Sequence, residues 1–224
     1  MKAGKATYQG PRDLPDSIPV FPLTGALLLP RGQMPLNIFE PRYLAMVDMA
    51  MAGDRLIGMI QPAGSSGEDG EPALSAIGCV GRITSYAETE DGRTMIVLTG
   101  IARFRVVEEI EGRSGFRVCR IATGDFIDDF AENAGAEAVD RARLLDVFRA
   151  YLDANRLEAD WDNIGRTSNE TLVNALSMMS PYGPAEKQAL LEAADLRTRA
   201  ETLIALTEMT LARGGDSAAS PLLQ

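Results

Sequence analysis

The chain contains 224 residues, of which 46% are apolar and 24% charged, and its formal net charge is −10. This length can bury a sizeable core in one or two domains. The acidic charge argues against a nucleic-acid partner, because nucleic-acid-binding proteins normally neutralise phosphates with a basic face. The sequence has no histidine, which excludes histidine-based catalysis and histidine metal sites.

Two further features of the composition indicate where the protein resides. No apolar run approaches the ~20 residues that span a bilayer, and residues 1–17 lack the apolar centre of a secretion signal. We therefore predict a cytoplasmic protein without a membrane partner. The two cysteines, Cys79 and Cys119, lie in predicted strands without metal-ligand spacing. We expect buried, reduced thiols.

The first elements in chain order are short strands interrupted by prolines. Residues 1–17 are polar, contain glycine and proline, and predict a flexible N-terminal tail. Three apolar bursts follow, and prolines lie within or beside them. Because proline cannot donate to a sheet ladder, the bursts predict short, bent or edge strands. The bursts are Val20 to Leu23, Leu27 to Leu29 and Leu36 to Phe39.

The pattern changes after Phe39, where a helix is predicted. Pro41 can occupy the first helical position, and Gly53 supplies a stop. Residues 55–61 then predict a buried strand, and the polar, glycine-containing residues 62–72 predict a mobile surface loop. The apolar residues at helical spacing are Tyr43, Leu44, Val47 and Met51.

Residues 77–121 return to a strand pattern. Glu90-Asp91-Gly92 predicts a hairpin turn, Gly100 an interruption, and residues 111–114 a further turn. Several arginines fall on the polar face of these strands. We interpret them as a solvated face paired with carboxylates, and the alternative is a dedicated anion site. These arginines are Arg82, Arg103, Arg105, Arg117 and Arg120.

The last part of the chain is helical in pattern. Residues 124–136 change sharply in composition and predict a linker, whose acidic residues do not match the alternating oxygen ligands of a calcium loop. Residues 137–213 predict four helices with short connections, a small bundle. Residues 214–224 predict a flexible tail. The predicted helix starts are a capping box of Thr167 with Glu170, Pro184 at a first turn, and Asp195 as a cap.

Several strings of this sequence resemble the Lon substrate-binding domain family, the N-terminal domain of ATP-dependent Lon proteases that also occurs as a stand-alone protein. They are IPVFPL from Ile18, LLLP from Leu27 and PLNIFEPRYLAMV from Pro35, with weaker likeness in DRLIGMIQP, GCVGRI and LTGIARFRV. The resemblance implies an α+β fold. It consists of a PUA-like β-domain at residues 18–123, a pseudo-barrel of short strands with one or two helices, followed by the four-helix bundle.

The resemblance also implies a function. It implies a non-catalytic module that binds unfolded or misfolded polypeptide, as a substrate selector or an adaptor beside a separate protease. The sequence lacks the GxxxxGK[ST] loop of an ATPase. Full Lon proteases use a Ser-Lys pair, and the single lysine outside the N-terminal segment, Lys187, lies at the polar opening of a predicted helix. We therefore predict no enzymatic activity, no cofactor and no metal.

The segment around the helix start supplies the candidate contact residues. These are Pro35, Phe39, Glu40, Arg42 and Tyr43. The competing interpretation is that both aromatic rings are core and that the Glu-Arg pair fastens the helix to the sheet. The alternative function is RNA or nucleotide binding through the PUA-like sheet and the five arginines above. The sequence leaves the oligomeric state open.

Overall fold

The computed structural model describes residues 1–66, 72–110 and 115–218. Within these ranges the chain has the predicted mixed α+β fold. The strands are β1 (Lys2–Ala3), β2 (Ala6–Thr7), β3 (Ser17–Pro22), β4 (Gln33–Ile38), β5 (Leu56–Ile60), β6 (Pro62–Ser66), β7 (Pro72–Leu74), β8 (Ile77–Glu88), β9 (Thr94–Ile110) and β10 (Arg117–Ala122). The helices are α1 (Pro41–Ala52), α2 (Arg141–Asn155), α3 (Trp161–Arg166), α4 (Asn169–Met179), α5 (Pro184–Glu192) and α6 (Leu196–Ala218).

The main sheet has six strands in the order β10-β3-β5-β8-β9-β4. Because β10 also pairs with β9, the strands β10, β3, β5, β8 and β9 close into a ring. The β3–β5 pairing is parallel, and the other pairings of this sheet are antiparallel. β4 stands outside the ring, since it pairs with the first part of β9, and it forms an edge of the sheet as described.

The longest strand, β9, contains the predicted interruption at Gly100 without ending there. A register shift in its pairing with β8 lies at this point. A Cβ atom on Gly100 would lie 2.1 Å from the backbone oxygen of Leu29. Glycine is therefore required by close backbone approach. The burst Leu27 to Leu29, predicted as a strand, is buried but irregular, and its backbone packs across this glycine.

The predicted helix α1 and the predicted hairpin turn at Gly92 are confirmed. Pro41 opens α1 and Gly53 lies at its C-cap. Of the four apolar residues at helical spacing, Tyr43 and Val47 are buried, whereas Leu44 and Met51 are only partly buried. The hairpin turn between β8 and β9 has Gly92 at a φ of +79°, a conformation that glycine adopts at low cost. The ends of the predicted loop at 62–72 instead pair as β6 and β7, and residues 67–71 lie outside the described residues.

The prediction of a flexible N-terminal tail over residues 1–17 is wrong. β1 and β2 form a small antiparallel hairpin. Tyr8 and Leu14 are buried in one apolar cluster with Ile18 and Phe104. The segment has no apolar periodicity of its own, so its packing depends on the apolar sheet face that it covers. The N-terminal amine donates hydrogen bonds to the carbonyls of Tyr8 and Phe130.

The predicted linker at residues 124–136 is also wrong. The 3₁₀ segment Gly124–Phe130 packs on the sheet, and its residues Phe126, Asp129 and Phe130 are buried. A second apolar cluster runs without interruption from Phe21 and α1 to Leu144, Leu190 and Leu203 of the later helices. The strands and the C-terminal helices therefore share a core within the described residues.

The C-terminal helices differ in detail from the predicted four. The described part of residues 137–218 contains five α-helices and not four, and the additional helix is the short α3. Ser168, rather than Thr167, caps α4 by accepting a hydrogen bond from the Thr171 backbone. Pro184 opens α5 and Asp195 accepts from the Thr198 backbone at the start of α6, as predicted. The predicted tail is partly helical, since α6 continues to Ala218; residues 219–224 lie outside the described ranges.

Both cysteines are buried and unpaired by disulfide, as predicted. Burial raises the pKa of the Cys119 thiol to about 11, and nearby Glu109 adds to the rise. Burial also raises the pKa of Cys79, with a further contribution from Asp129.

Within the described ranges, no helix is long and apolar enough to cross a bilayer. The cytoplasmic location stays a prediction.

Candidate functional site

The five candidate contact residues divide between surface and core. Pro35 is exposed on β4, and Phe39, at the corner between β4 and α1, is 63% exposed. Tyr43 is buried, with its ring centroid 4.3 Å from that of Phe21. Glu40 accepts a hydrogen bond from the Arg42 Nε at 3.0 Å, and the Arg42 guanidinium lies 4.6 Å from the centre of the Tyr43 ring.

Phe39 adjoins an exposed sheet face that sequence reasoning did not single out. Directly opposite residues of paired strands point to the same face. Two such rows are Pro35, Val97 and Ser85, and Asn37, Met95 and Ala87. Met95 is 52% exposed, and Pro35, Asn37, Ser85 and Ala87 are also exposed. We call these six residues together with Phe39 the β4 surface. The signal available in the sequence was Pro35, which indicates an edge strand.

The start of β4 is fixed by a β-bulge. Arg31, at a φ of +65°, donates its backbone N–H to the Gly100 carbonyl, and the Gly100 N–H donates to the Gly32 carbonyl at 2.9 Å. Two residues of this chain thus oppose one residue of β9, which defines a bulge. Because Gly32 faces β9, the backbone groups of every second residue after it, Met34 and Leu36, also face β9.

Side chains from the helices hold this bulge in place. The Arg31 guanidinium pairs with Glu170 at 3.0 Å and donates to the Asp129 carbonyl at 3.0 Å. Asn174 of α4 donates to the Pro30 carbonyl and accepts from the buried Arg199 of α6. The bulge, and therefore the position of β4, is set jointly by the sheet and the helices.

Each of the five arginines of the alternative anion site has a partner within the protein. Arg103 was predicted on a solvated face but is buried beneath the 3₁₀ segment, where it forms an ion pair with Asp129. Arg105 pairs with Asp125, Arg117 with Glu109, and Arg120 with Glu108. Arg82 donates to the Tyr8 hydroxyl and to the Asp54 carbonyl. For four of the five, these partners support the interpretation that the arginines balance carboxylates.

Polar side chains line one end of the β4 surface. A cavity of about 480 Å³ lies beside Gln33, between the N-terminal hairpin and the sheet, and Lys2, Arg31, Thr84 and Thr99 contribute to its lining. Among the described residues, no group of three or more Cys, Asp or Glu side chains is arranged to hold a metal ion.

The ring of strands with its edge strand and packed helices defines a class of α+β module found in known proteins. A family model described as the ATP-dependent protease La (LON) substrate-binding domain matches residues 17–208. The chain belongs to this family. Lon protease 2 of Myxococcus xanthus is 28% identical over 202 residues, covering 87% of this chain and 24% of that protein. The chain therefore spans about a quarter of the length of this relative.

Two solved structures share the fold. The Lon N-terminal domain protein from Xanthomonas campestris has a TM-score of 0.60 at 24% identity, covering 84% of this chain and 97% of that one. The N-terminal domain of Mycobacterium avium complex Lon protease has a TM-score of 0.64 at 21% identity, covering 86% and 98% respectively. At these identities the likeness concerns the fold.

Proposed function

We propose that this chain is a non-catalytic module that binds unfolded polypeptide through the β4 surface. The main supporting observation is that apolar side chains remain exposed on the outer face of β4 and of the two strands beside it, with Phe39 following the end of β4. Pro35, Ala87 and Met95 are exposed, and Val97 is partly exposed. Contiguous exposed apolar surface with a polar rim is typical of a protein-binding site. Membership of the substrate-binding family supports the same class of ligand.

The candidate residues take different roles in this proposal. Pro35 and Phe39 contact the bound chain, and the Glu40–Arg42 pair forms part of the polar rim. Tyr43 supports the site from beneath, because it packs α1 against Phe21. The ring of strands serves as a PUA-like scaffold for this surface. The bound segment is then delivered to a protease, whether that enzyme is on the same chain or a separate one.

No observation favours the alternative RNA-binding function. The arginines that would contact phosphate are engaged by carboxylates, carbonyls or a tyrosine hydroxyl. An RNA strand would have to displace these partners while approaching a chain of net charge −10.

The first test of the proposal is truncation of Phe39. We expect Phe39→Ala to weaken binding of a fluorescent, reduced and carboxymethylated protein by at least about fivefold, the loss that marks an energetically important interface residue. Leu157→Ala is the matched control, because Leu157 is 53% exposed and is remote in sequence from the β4 surface. Fluorescence anisotropy measures the affinity, and thermal melting verifies that both variants remain folded.

Two results would contradict the proposed function. The first is that the unchanged chain fails to bind the unfolded protein at any accessible concentration. The second is that Phe39→Ala and Leu157→Ala weaken binding equally, which would indicate a nonspecific apolar interaction.

A further inference from the structure

We propose that the polypeptide binds as an additional β-strand, antiparallel to β4, and thereby extends the sheet. This inference rests on the proposed function, and it specifies that the ligand is an extended segment recognised mainly through its backbone. The observations behind it are the open edge of β4, the direction of its backbone groups and the charges at the two ends of the strand.

The bulge determines which backbone groups of β4 face away from the sheet. The Gly32 carbonyl accepts a hydrogen bond from Gly100 of β9. Because backbone groups alternate in direction along a strand, the N–H and C=O groups of residues 33, 35 and 37 point away from β9, toward the open edge. All three side chains are exposed, and the sheet order places β9 on one side of β4 and no described strand on the other. Pro35 agrees with this direction, because a proline in a sheet places its missing donor on the open side.

The outward groups form a pattern that matches an extended chain. Gln33 and Asn37 each present an N–H donor and a carbonyl acceptor, and Pro35 between them presents a carbonyl. An antiparallel strand offers matching donors and acceptors at alternate residues. An unpaired strand edge is a template for such pairing, and peptides bind many proteins in this way.

Side chains on both faces of β4 complement an added strand. On the outer face, alternate ligand side chains would extend the row that contains Pro35 and Val97. On the inner face, Met34 and Leu36 are only partly buried and pack against the core. Apolar ligand residues on that side would cover them. The ligand is therefore an extended, β-branched or otherwise apolar segment, as is exposed when a protein unfolds.

Antiparallel pairing is slightly more stable per residue than parallel pairing, and the charges at the two ends of β4 define the ligand that strengthens this preference. Lys2 and Arg31 line the cavity beside Gln33, although Arg31 is paired with Glu170. At the other end, Ile38 and Glu88 both lie opposite Thr94. The adjoining turn adds Glu90 and Asp91, and Arg93 offsets the charge of Asp91. A segment with a basic residue on its N-terminal side and an acidic residue on its C-terminal side would therefore match these charges when it runs antiparallel to β4.

The sharpest protein variant removes one outward donor without altering the core. Asn37→Pro deletes the outward N–H, and proline is tolerated there for the same reason as at Pro35. Asn37→Ala is the control, because it removes the same side chain but keeps the donor. We expect Asn37→Pro to bind about 3- to 10-fold more weakly than Asn37→Ala, which corresponds to the loss of one net hydrogen bond. Thermal melting of both variants checks the fold.

The ligand supplies an independent test. The probe is a fluorescent eight-residue peptide of alternating Val and Thr with Lys at its N-terminus and Asp at its C-terminus. Two isomers carry N-methyl groups on either the odd or the even residues. We expect the isomer that can pair with β4 while its Val side chains face Met34 and Leu36 to retain affinity. The other isomer should lose at least about tenfold, because it can pair only with its Thr side chains on that face. Exchanging the terminal Lys and Asp should weaken binding at low salt.

The outcomes separate this inference from the proposed function. If the peptide and the unfolded protein bind but both methylated isomers bind equally well, strand addition is wrong while polypeptide binding stands. If neither ligand binds, the proposed function itself fails. If sedimentation shows that the chain self-associates, and Asn37→Pro abolishes this association without weakening peptide binding, then β4 pairs with a second copy of the chain and the inferred occupant is wrong. Stronger binding of the charge-exchanged peptide would overturn the antiparallel direction.

Discussion

Removal of the Asp129 carboxylate is expected to destabilise the protein by about 3 to 5 kcal/mol, the cost of leaving a buried charge without its partner. Asp129 accepts from the Arg103 Nε at 2.9 Å, from its Nη2 at 3.0 Å and from its backbone N–H at 2.8 Å. The two side chains are only 4% and 8% exposed. Asp129→Ala therefore leaves a guanidinium that water cannot reach.

A second buried arginine increases the expected cost. Arg199 is 4% exposed and its Nη2 has no hydrogen-bond partner in the described structure. Its pKa is lowered to about 10, mainly by burial and then by repulsion from Arg103, while Asp129 counteracts the shift. Without Asp129, two buried positive charges would face each other with less compensation, which places the expected loss toward the upper end of the range.

Urea unfolding followed by circular dichroism measures this loss. Asp125→Ala is the matched control, because the Arg105–Asp125 pair is 48% and 62% exposed and should contribute only about 0 to 1 kcal/mol. The double variant Arg103→Met/Asp129→Leu should recover much of the stability lost in Asp129→Ala, since no unpaired charge remains. Equal losses in Asp129→Ala and Asp125→Ala would refute the reasoning.

Two further predictions concern the core. Tyr43→Ala should lower the free energy of unfolding in urea by about 3 to 5 kcal/mol, because it leaves a cavity beside Phe21. Phe39→Ala should lower it by less than about 0.5 kcal/mol. Equal losses would contradict the assignment of Phe39 to the surface. The Cys119 thiol, whose folded-state pKa is raised to about 11, stays protonated above about pH 8.5, where the thiol of the unfolded chain ionises. Its contribution to the free energy of unfolding is therefore lost as the pH rises from about 8.5 toward about 11. The stability difference between the unchanged chain and Cys119→Ala should shrink between pH 8 and pH 10, and an unchanged difference would be inconsistent with this pKa.

The elements that the sequence determined by itself are those with local physical causes. Pro41 and Gly53 bound α1 because a missing N–H is harmless at a helix start and glycine is favoured at its end. Gly92 marks its hairpin turn for a similar local reason. Pro35 indicated an edge strand, since it can lack a donor only on the open side. The family likeness was also readable from local strings, and the matched residues 17–208 bear it out.

Only the tertiary structure decided which residues lie inside and which remain exposed. Arg103 alternates with apolar residues as a solvated residue would, yet it is buried because a segment distant in sequence brings Asp129 over it. The first 17 residues pack for the same kind of reason, since the sheet face that they cover is assembled from distant strands. The β4 surface depends on the register of three strands, which places Met95 beside Asn37. Local propensity cannot specify such pairings, because they depend on how the whole chain closes its ring of strands.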